Sequence, residues 1–170
     1  MMTLLTDWKG QCVDGWPWSE KLRGCRGYWQ TAQKTFWTRG GHVIKIPEFW
    51  LAQMPDFDID CEIFAGRCNV ETVAMKAVRW GIFAPEVVPV VLDVPHARGT
   101  WLQRMAAGRK ELRGSKLIRF AKGGVIRCYE EMNHIACNLI YDGAEGIVMR
   151  NPEIDFYETG RTENALRLKA

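Results

Sequence analysis

The sequence predicts an α+β fold in which antiparallel and mixed sheets are flanked by helices. Strand-type runs bounded by glycine gather toward both ends of the chain, and two amphipathic helices interrupt them. The composition can bury a real core: 170 residues, 47% hydrophobic and 25% charged. Length and the lack of any repeat, low-complexity tract or linker-like stretch predict one domain spanning 1–170.

The elements follow in order. Gly15 to Lys21 reads as a strand, and Gly24 to Gln30 as its hairpin partner after a tight turn. Phe36 to Arg39 and His42 to Ile46 flank Gly40-Gly41, which suits a turn needing positive φ. Pro47 opens a short helix, since proline is tolerated at a first helical position. Ile59 to Phe64 is a strand. Asn69 caps a helix running to about Arg79, with Val70, Val73, Ala74, Ala77 and Val78 on one face. The β-branched run Val87 to Leu92 is a buried strand. Trp101 to Leu112 is helical, and Lys116 to Phe120 a strand. Met132, Ile135, Ala136, Leu139 and Ile140 line the apolar side of a further helix, stopped by Gly143. Gly146 to Arg150 and Ala165 to Lys169 are the last strands, and the glycines at 123 and 124 read as a hairpin turn.

Charge excludes little. Lys and Arg number 23 against 20 Asp and Glu, and a surplus of +3 is too small to argue for nucleic acid. The N-terminus carries no basic region followed by an apolar stretch, so a cytoplasmic setting is expected, with the six cysteines as free thiols. No apolar run approaches the roughly 20 residues of a membrane helix; Val87 to Val94 is broken by Pro89 and Asp93. The spacing of Cys61 and Cys68, and of His134 and Cys137, is not that of a structural zinc site. No Walker-type glycine loop is present.

The chemistry-bearing residues come in clusters. Ser19-Glu20-Lys21-Leu22-Arg23-Gly24-Cys25-Arg26 puts a lysine at the end of an aromatic-rich strand, beside two arginines. Burial or nearby cations make a lysine nucleophilic, although these eight residues on their own favour a solvated Lys/Arg turn between two strands. Thr38-Arg39-Gly40-Gly41 puts an arginine at a hairpin tip. In Ile59-Asp60-Cys61-Glu62 the two acids share a strand face, which a metal, a ribose or an arginine between them explains, as does an exposed polar face. Leu92-Asp93 ends the apolar strand, Glu145-Gly146-Ile147-Val148-Met149-Arg150 enters another, and Leu166-Arg167-Leu168-Lys169 closes the chain.

In this order and spacing the clusters resemble the motifs of the covalent nucleotidyltransferase superfamily, the ATP-dependent DNA ligases and mRNA-capping enzymes. Ser19 to Leu22, Glu145 to Arg150 and Tyr157 to Arg161 look most like small bacterial and phage DNA ligases. The resemblance spans Trp16 to Lys169. It implies an ATP-grasp-like adenylation domain in which Lys21 takes AMP from ATP and hands it to the 5′-phosphate of nicked duplex DNA. Lys21, Glu145, Arg167 and Lys169 are the implied catalytic residues. Ser19, Glu20, Arg26, Arg39, Glu62 and Leu92 are the implied nucleotide-binding residues, with Glu145 and Glu62 at a Mg²⁺ or Mn²⁺. It further implies a monomer in the cytoplasm of a bacterium or phage-infected cell. RNA ligation, capping, or a degenerate domain that binds without turnover share the same motifs.

Four positions depart from the family pattern. Arg23 stands for an aspartate, Cys61 for a glycine, Leu92 for an aromatic and Arg167 for a lysine. The last motif closes one residue before Ala170, so the OB-fold domain that usually follows is expected to be absent or supplied by a partner. Trp16, Trp18 and Trp29 lie beside the expected site, and Lys110, Arg113, Lys116 and Arg119 form a basic stretch that reads as a solvated face.

Overall fold

A computed structural model describes residues 2–67 and 70–169. The chain forms two sheets with helices on their outer sides. The first sheet contains β1 (Thr3–Asp7), β2 (Pro17–Lys21), β9 (Gly123–Val125), β10 (Gly146–Arg150) and β11 (Gly160–Lys169), ordered β1-β11-β10-β2-β9. The second contains β3 (Cys25–Gln30), β4 (Thr35–Thr38), β5 (Val43–Ile44), β6 (Ile59–Phe64), β7 (Val88–Asp93) and β8 (Arg119–Phe120), ordered β5-β4-β3-β6-β7-β8. Pairing is antiparallel except for β1 with β11 and β7 with β8. The α+β class, with mixed sheets and flanking helices, is the one expected.

Alternation along the strands explains the layering. Ile59, Cys61 and Ile63 of β6 join Trp29, Phe36, Trp50, Val91, Trp101 and Met105 in one core. That core lies with α1 (Glu48–Leu51), α2 (Val70–Trp80) and α3 (Trp101–Glu111). Ile147 and Met149 of β10 and Leu166 of β11 pack with Met132 and Ala136 of α4 (Tyr129–Tyr141) in a second core. The intervening residues, Asp60 and Glu62 on β6, and Val148 and Arg150 on β10, turn the other way and line the space between the sheets. A third cluster of Leu22, Val90, Leu92 and Ala121 ties the two sheets together.

Several expectations need correction. β2 and β3 are not a hairpin: β2 pairs with β9 and β10, β3 with β4 and β6, and the chain crosses from one sheet to the other through Leu22 to Gly24. Leu22 is buried at that crossing, and a Cβ on Gly24 would lie 2.3 Å from the Ile63 carbonyl oxygen, so the turn is anchored to β6 and cannot fold back on β2. Gly123-Gly124 forms strand β9 and not a turn, because the bare glycine lets β2 approach; a Cβ on Gly123 would lie 2.1 Å from the Trp18 carbonyl oxygen. β1 was not expected, β11 is longer than Ala165 to Lys169, and Lys116 to Phe120 shortens to two residues of β8. The Gly40-Gly41 hairpin forms as expected, with Gly41 at φ +80° and its N–H donating to the Thr38 carbonyl oxygen at 3.0 Å. The Asn69 cap, the Val70 side chain and Cys68 lie outside the described residues. Cys12, Cys61, Cys128 and Cys137 are free thiols. Among the described residues no helix is long and apolar enough to cross a membrane.

Gly146 sits where β10 meets both β2 and β11, at φ +142°, and a Cβ there would lie 2.0 Å from the Leu168 carbonyl oxygen. Neither the backbone angle nor the approach tolerates a side chain. Gly146→Ala should therefore destabilise the fold by about 3 kcal/mol or more, read as a lower midpoint in thermal unfolding. An unchanged midpoint would mean that the two strands do not approach this closely.

Candidate active site

The space between the sheets is an open cleft of about 720 Å³, a size that accepts a nucleotide. Lys21, Arg39, Glu62, Leu92, Glu145 and Arg167 all line it. The register of β10 builds its centre. Gly146 pairs with Lys21 of β2 on one side and with Lys169 of β11 on the other. Glu145, one residue earlier, is thereby flanked by two ammonium groups, Lys21 Nζ at 2.7 Å and Lys169 Nζ at 3.8 Å. Arg167 also faces the cleft, and its guanidinium is held by Asp7 of β1 at 2.5 Å. That hydrogen bond raises Arg167 and lowers the Asp7 carboxyl from their ordinary values.

The acids on β6 have different partners. Asp60 is fully buried and accepts from Arg26 Nε at 2.5 Å, from Arg26 Nη2 at 2.7 Å and from the Tyr157 hydroxyl at 2.5 Å. Burial alone would pull Arg26 down, but the charge and hydrogen bonds of Asp60 outweigh it and hold the guanidinium above the ordinary arginine range. An arginine thus answers one of the two carboxylates that share this face. Glu62 lies directly across from Arg26 and accepts from the Gly24 N–H at 3.0 Å, which fixes the turn that follows Lys21. Burial pushes Glu62 up to about 7, although Arg26, Lys21 and the Gly24 bond all pull against that rise.

The remaining expected residues occupy distinct places. Arg39, at its hairpin tip, is exposed on the cleft. Leu92 lies on one wall and Val148 on another, offering two apolar surfaces to a planar base. Ser19 is fully buried, and its hydroxyl accepts from Arg150 Nη1 at 2.9 Å. Glu20 gives both carboxylate oxygens to Arg67, each at 3.0 Å. Ser19 and the Glu20 carboxylate therefore act on protein partners, although Glu20 is among the residues bordering the cleft.

Two features were not singled out from the sequence. Arg150 stacks on the Trp101 ring at 4.3 Å, and the Trp101 indole N–H donates to the Leu92 carbonyl oxygen at 2.8 Å. Burial brings Arg150 down to about 10, with Asp93 and Asp60 opposing the fall and Arg26 and Arg104 adding to it. Beside it, Asp93 and Arg104 form a buried bidentate pair at 2.8 Å. The arginine of Glu145-to-Arg150 and the i, i+3 spacing of Trp101 and Arg104 were the available signals. Trp29 is a core residue, with its indole N–H on the Pro55 carbonyl oxygen, and Trp16 and Trp18 pack against the α4 core.

The fold is that of the nucleotidyltransferase domain of ATP-dependent DNA ligases. It superposes on a Lig E DNA ligase described as binding DNA with a minimal scaffold (TM-score 0.84, 20% identity, 99% of this chain and 68% of that one). It also superposes on the Chlorella virus DNA ligase-adenylate (TM-score 0.79, 16% identity, 99% and 67%) and on the bacteriophage T7 ATP-dependent DNA ligase in complex with ATP (TM-score 0.71, 10% identity, 99% and 68%). In sequence the chain is a relative of a DNA ligase from Haemophilus influenzae, 30% identical over 175 residues and 99% of this chain. It spans 63% of that relative's length. No family model matches.

The raised Glu62 yields a stability signature. A folded-state value of about 7 lies above the ordinary 4.5, so the stability Glu62 contributes is fully present below pH 4.5 and is lost as pH rises through 7. At pH 8 the ionised, buried carboxylate costs up to about 3 kcal/mol. Glu62→Gln keeps an acceptor for Gly24 and removes the charge. Its thermal midpoint should exceed that of the wild type at pH 8 and match it near pH 4.5; an equal difference at both pH values would contradict the assignment.

Proposed function

We propose that this protein is an ATP-dependent polynucleotide ligase that carries AMP on Lys21 and seals 5′-phosphate/3′-hydroxyl nicks in duplex DNA. The observation that carries the reading is the contact of Lys21 with Glu145 on a nucleotide-sized cleft, with Lys169 approaching the same carboxylate from β11. A lysine amine at that point can attack the α-phosphorus of ATP. A nitrogen–phosphorus bond forms, the bond to the bridging oxygen breaks, and pyrophosphate leaves with the electron pair. The ammonium must first lose a proton, and the Glu145 oxygen at 2.7 Å is placed to take it. Arg167 and Lys169 supply fixed positive charge beside the phosphate as its charge shifts.

Leu92 and Val148, which line the cleft, would hold the adenine, and Arg39 and Glu62 on the same cleft would hold the ribose and phosphates. Arg26 contributes through Asp60 as much as to the nucleotide, since its guanidinium is already bidentate. In the following steps a 5′-phosphate oxygen takes the AMP from Lys21, returning the amine. A neighbouring 3′-hydroxyl then attacks the 5′-phosphorus and AMP departs.

Mg²⁺ or Mn²⁺ suits the donor set. Glu145 and Glu62 offer hard oxygen ligands on the cleft, and among the described residues no group of three or more candidate ligands exists. Hard carboxylate oxygens of this kind suit an ion that takes one or two carboxylates and completes its shell with phosphate oxygens and water. When bound, it offsets negative charge at the phosphates.

Intact mass after incubation with ATP and Mg²⁺ tests the first step. The wild type should gain the mass of one AMP, and Lys21→Ala should gain none. No adduct in the wild type, or an adduct surviving in Lys21→Ala, contradicts the reading. Joining of a nicked DNA duplex but not a nicked RNA duplex is the expected acceptor preference; the reverse would make the protein an RNA ligase.

A further inference from the structure

We propose that Arg23 is a binding residue for a phosphate oxyanion at the mouth of the cleft, either the β,γ-phosphates of the nucleotide or the 5′-phosphate of the nick. The inference rests on the ligase reading above. Arg23 lies two residues beyond Lys21, in the crossing between the sheets, where it is exposed and lines the cleft.

The other cations lining the cleft, Arg39 apart, are occupied. Lys21 is held by Glu145, Arg26 by Asp60, Arg167 by Asp7, and Arg161 by the Leu5 carbonyl oxygen. Arg23 makes no ion pair or hydrogen bond among the described residues. Nor does the turn depend on it. Leu22 is buried in the cluster that joins the sheets, and the Gly24 N–H is taken by Glu62. The turn that presents Lys21 is therefore fixed on both sides of residue 23, and the side chain between them is free to meet a ligand. In the resembling family an acid stands at this position; here its sign is reversed next to the reacting lysine. An acid would repel phosphates approaching Lys21, whereas a guanidinium fork can take two phosphate oxygens at once. Arg39, exposed on the same cleft and equally without a partner, is the second cation available to the same anion. Arg23 acts only through charge and hydrogen bonds, so no bond is made or broken at it.

Arg23→Ala, Arg23→Lys and Arg23→Asp, compared in single-turnover assays, test the proposal. One arm follows lysyl-AMP formation against ATP concentration. The other follows AMP transfer from isolated lysyl-AMP protein to the 5′-phosphate of a nicked DNA duplex. Loss of one charge-assisted phosphate contact predicts about a tenfold effect in Arg23→Ala. If the partner is the nucleotide, half-saturating ATP rises. If it is the nick, transfer slows while adenylation is unchanged. Arg23→Lys should recover much of the loss, and Arg23→Asp should lose more than Arg23→Ala. Arg23→Ala and Arg23→Asp matching the wild type in both arms overturns the proposal, as does Arg23→Asp surpassing it. An adduct in the wild type with insensitive variants removes this inference alone; no adduct in the wild type removes the ligase reading and this inference together.

Discussion

The site depends on one register, the pairing of β10 between β2 and β11. Gly146 faces Lys21 on one strand and Lys169 on the other, so Glu145 arrives between two ammonium groups that are far apart in sequence. A shift of β10 by one residue would turn Val148 away from the cleft, bring the core residues Ile147 and Met149 into it, and break the match of Gly146 to Lys21 and Lys169. The bare glycine is what allows the close approach, since the Leu168 carbonyl occupies the place of a side chain. Packing sets the register: Ile147, Met149 and Leu166 are all buried against α4, and their alternation leaves the functional residues on the opposite face.

The opposing wall is built from charges that neutralise one another. Arg26 with Asp60 and Arg104 with Asp93 are bidentate pairs in which each aspartate is buried. Removing one partner of such a pair strands a charge, which makes the arrangement costly to disturb. Arg150 bridges the two walls. It rises from β10, bonds Ser19 on β2 and stacks on Trp101, which is itself tied to the Leu92 carbonyl on β7. Burial without a carboxylate of its own explains its fall to about 10. The width of the cleft is thus fixed by a guanidinium and an indole, leaving the mouth to the exposed Arg23 and Arg39.

Much of this was legible in the sequence where local patterning decides the outcome. Alternation placed Asp60 and Glu62 on one strand face, and helical periodicity marked Met132, Ala136 and their neighbours as the buried side of α4. The ordered motifs pointed to the residues that meet in the cleft. Three features were not legible because they depend on distant partners. β1 pairs in parallel with β11 at the other end of the chain, and nothing in Thr3 to Asp7 announces it. The glycines after Lys21 and at 123 look like turns, yet each is there to let another backbone approach. Which carboxylate Arg26 would answer, and that Glu20 would be spent on Arg67, follow only once β3, β6 and the Arg67 loop are brought together.

A crystal structure of the protein grown with ATP and Mg²⁺ tests the central claim most directly, because it locates the nucleotide and the acceptor atom at once. The account predicts AMP joined to Lys21 Nζ in the cleft between the sheets, its base between Leu92 and Val148 and its phosphate beside Arg167 and Lys169. A nucleotide bound outside this cleft, or an adduct on any other residue, would contradict it.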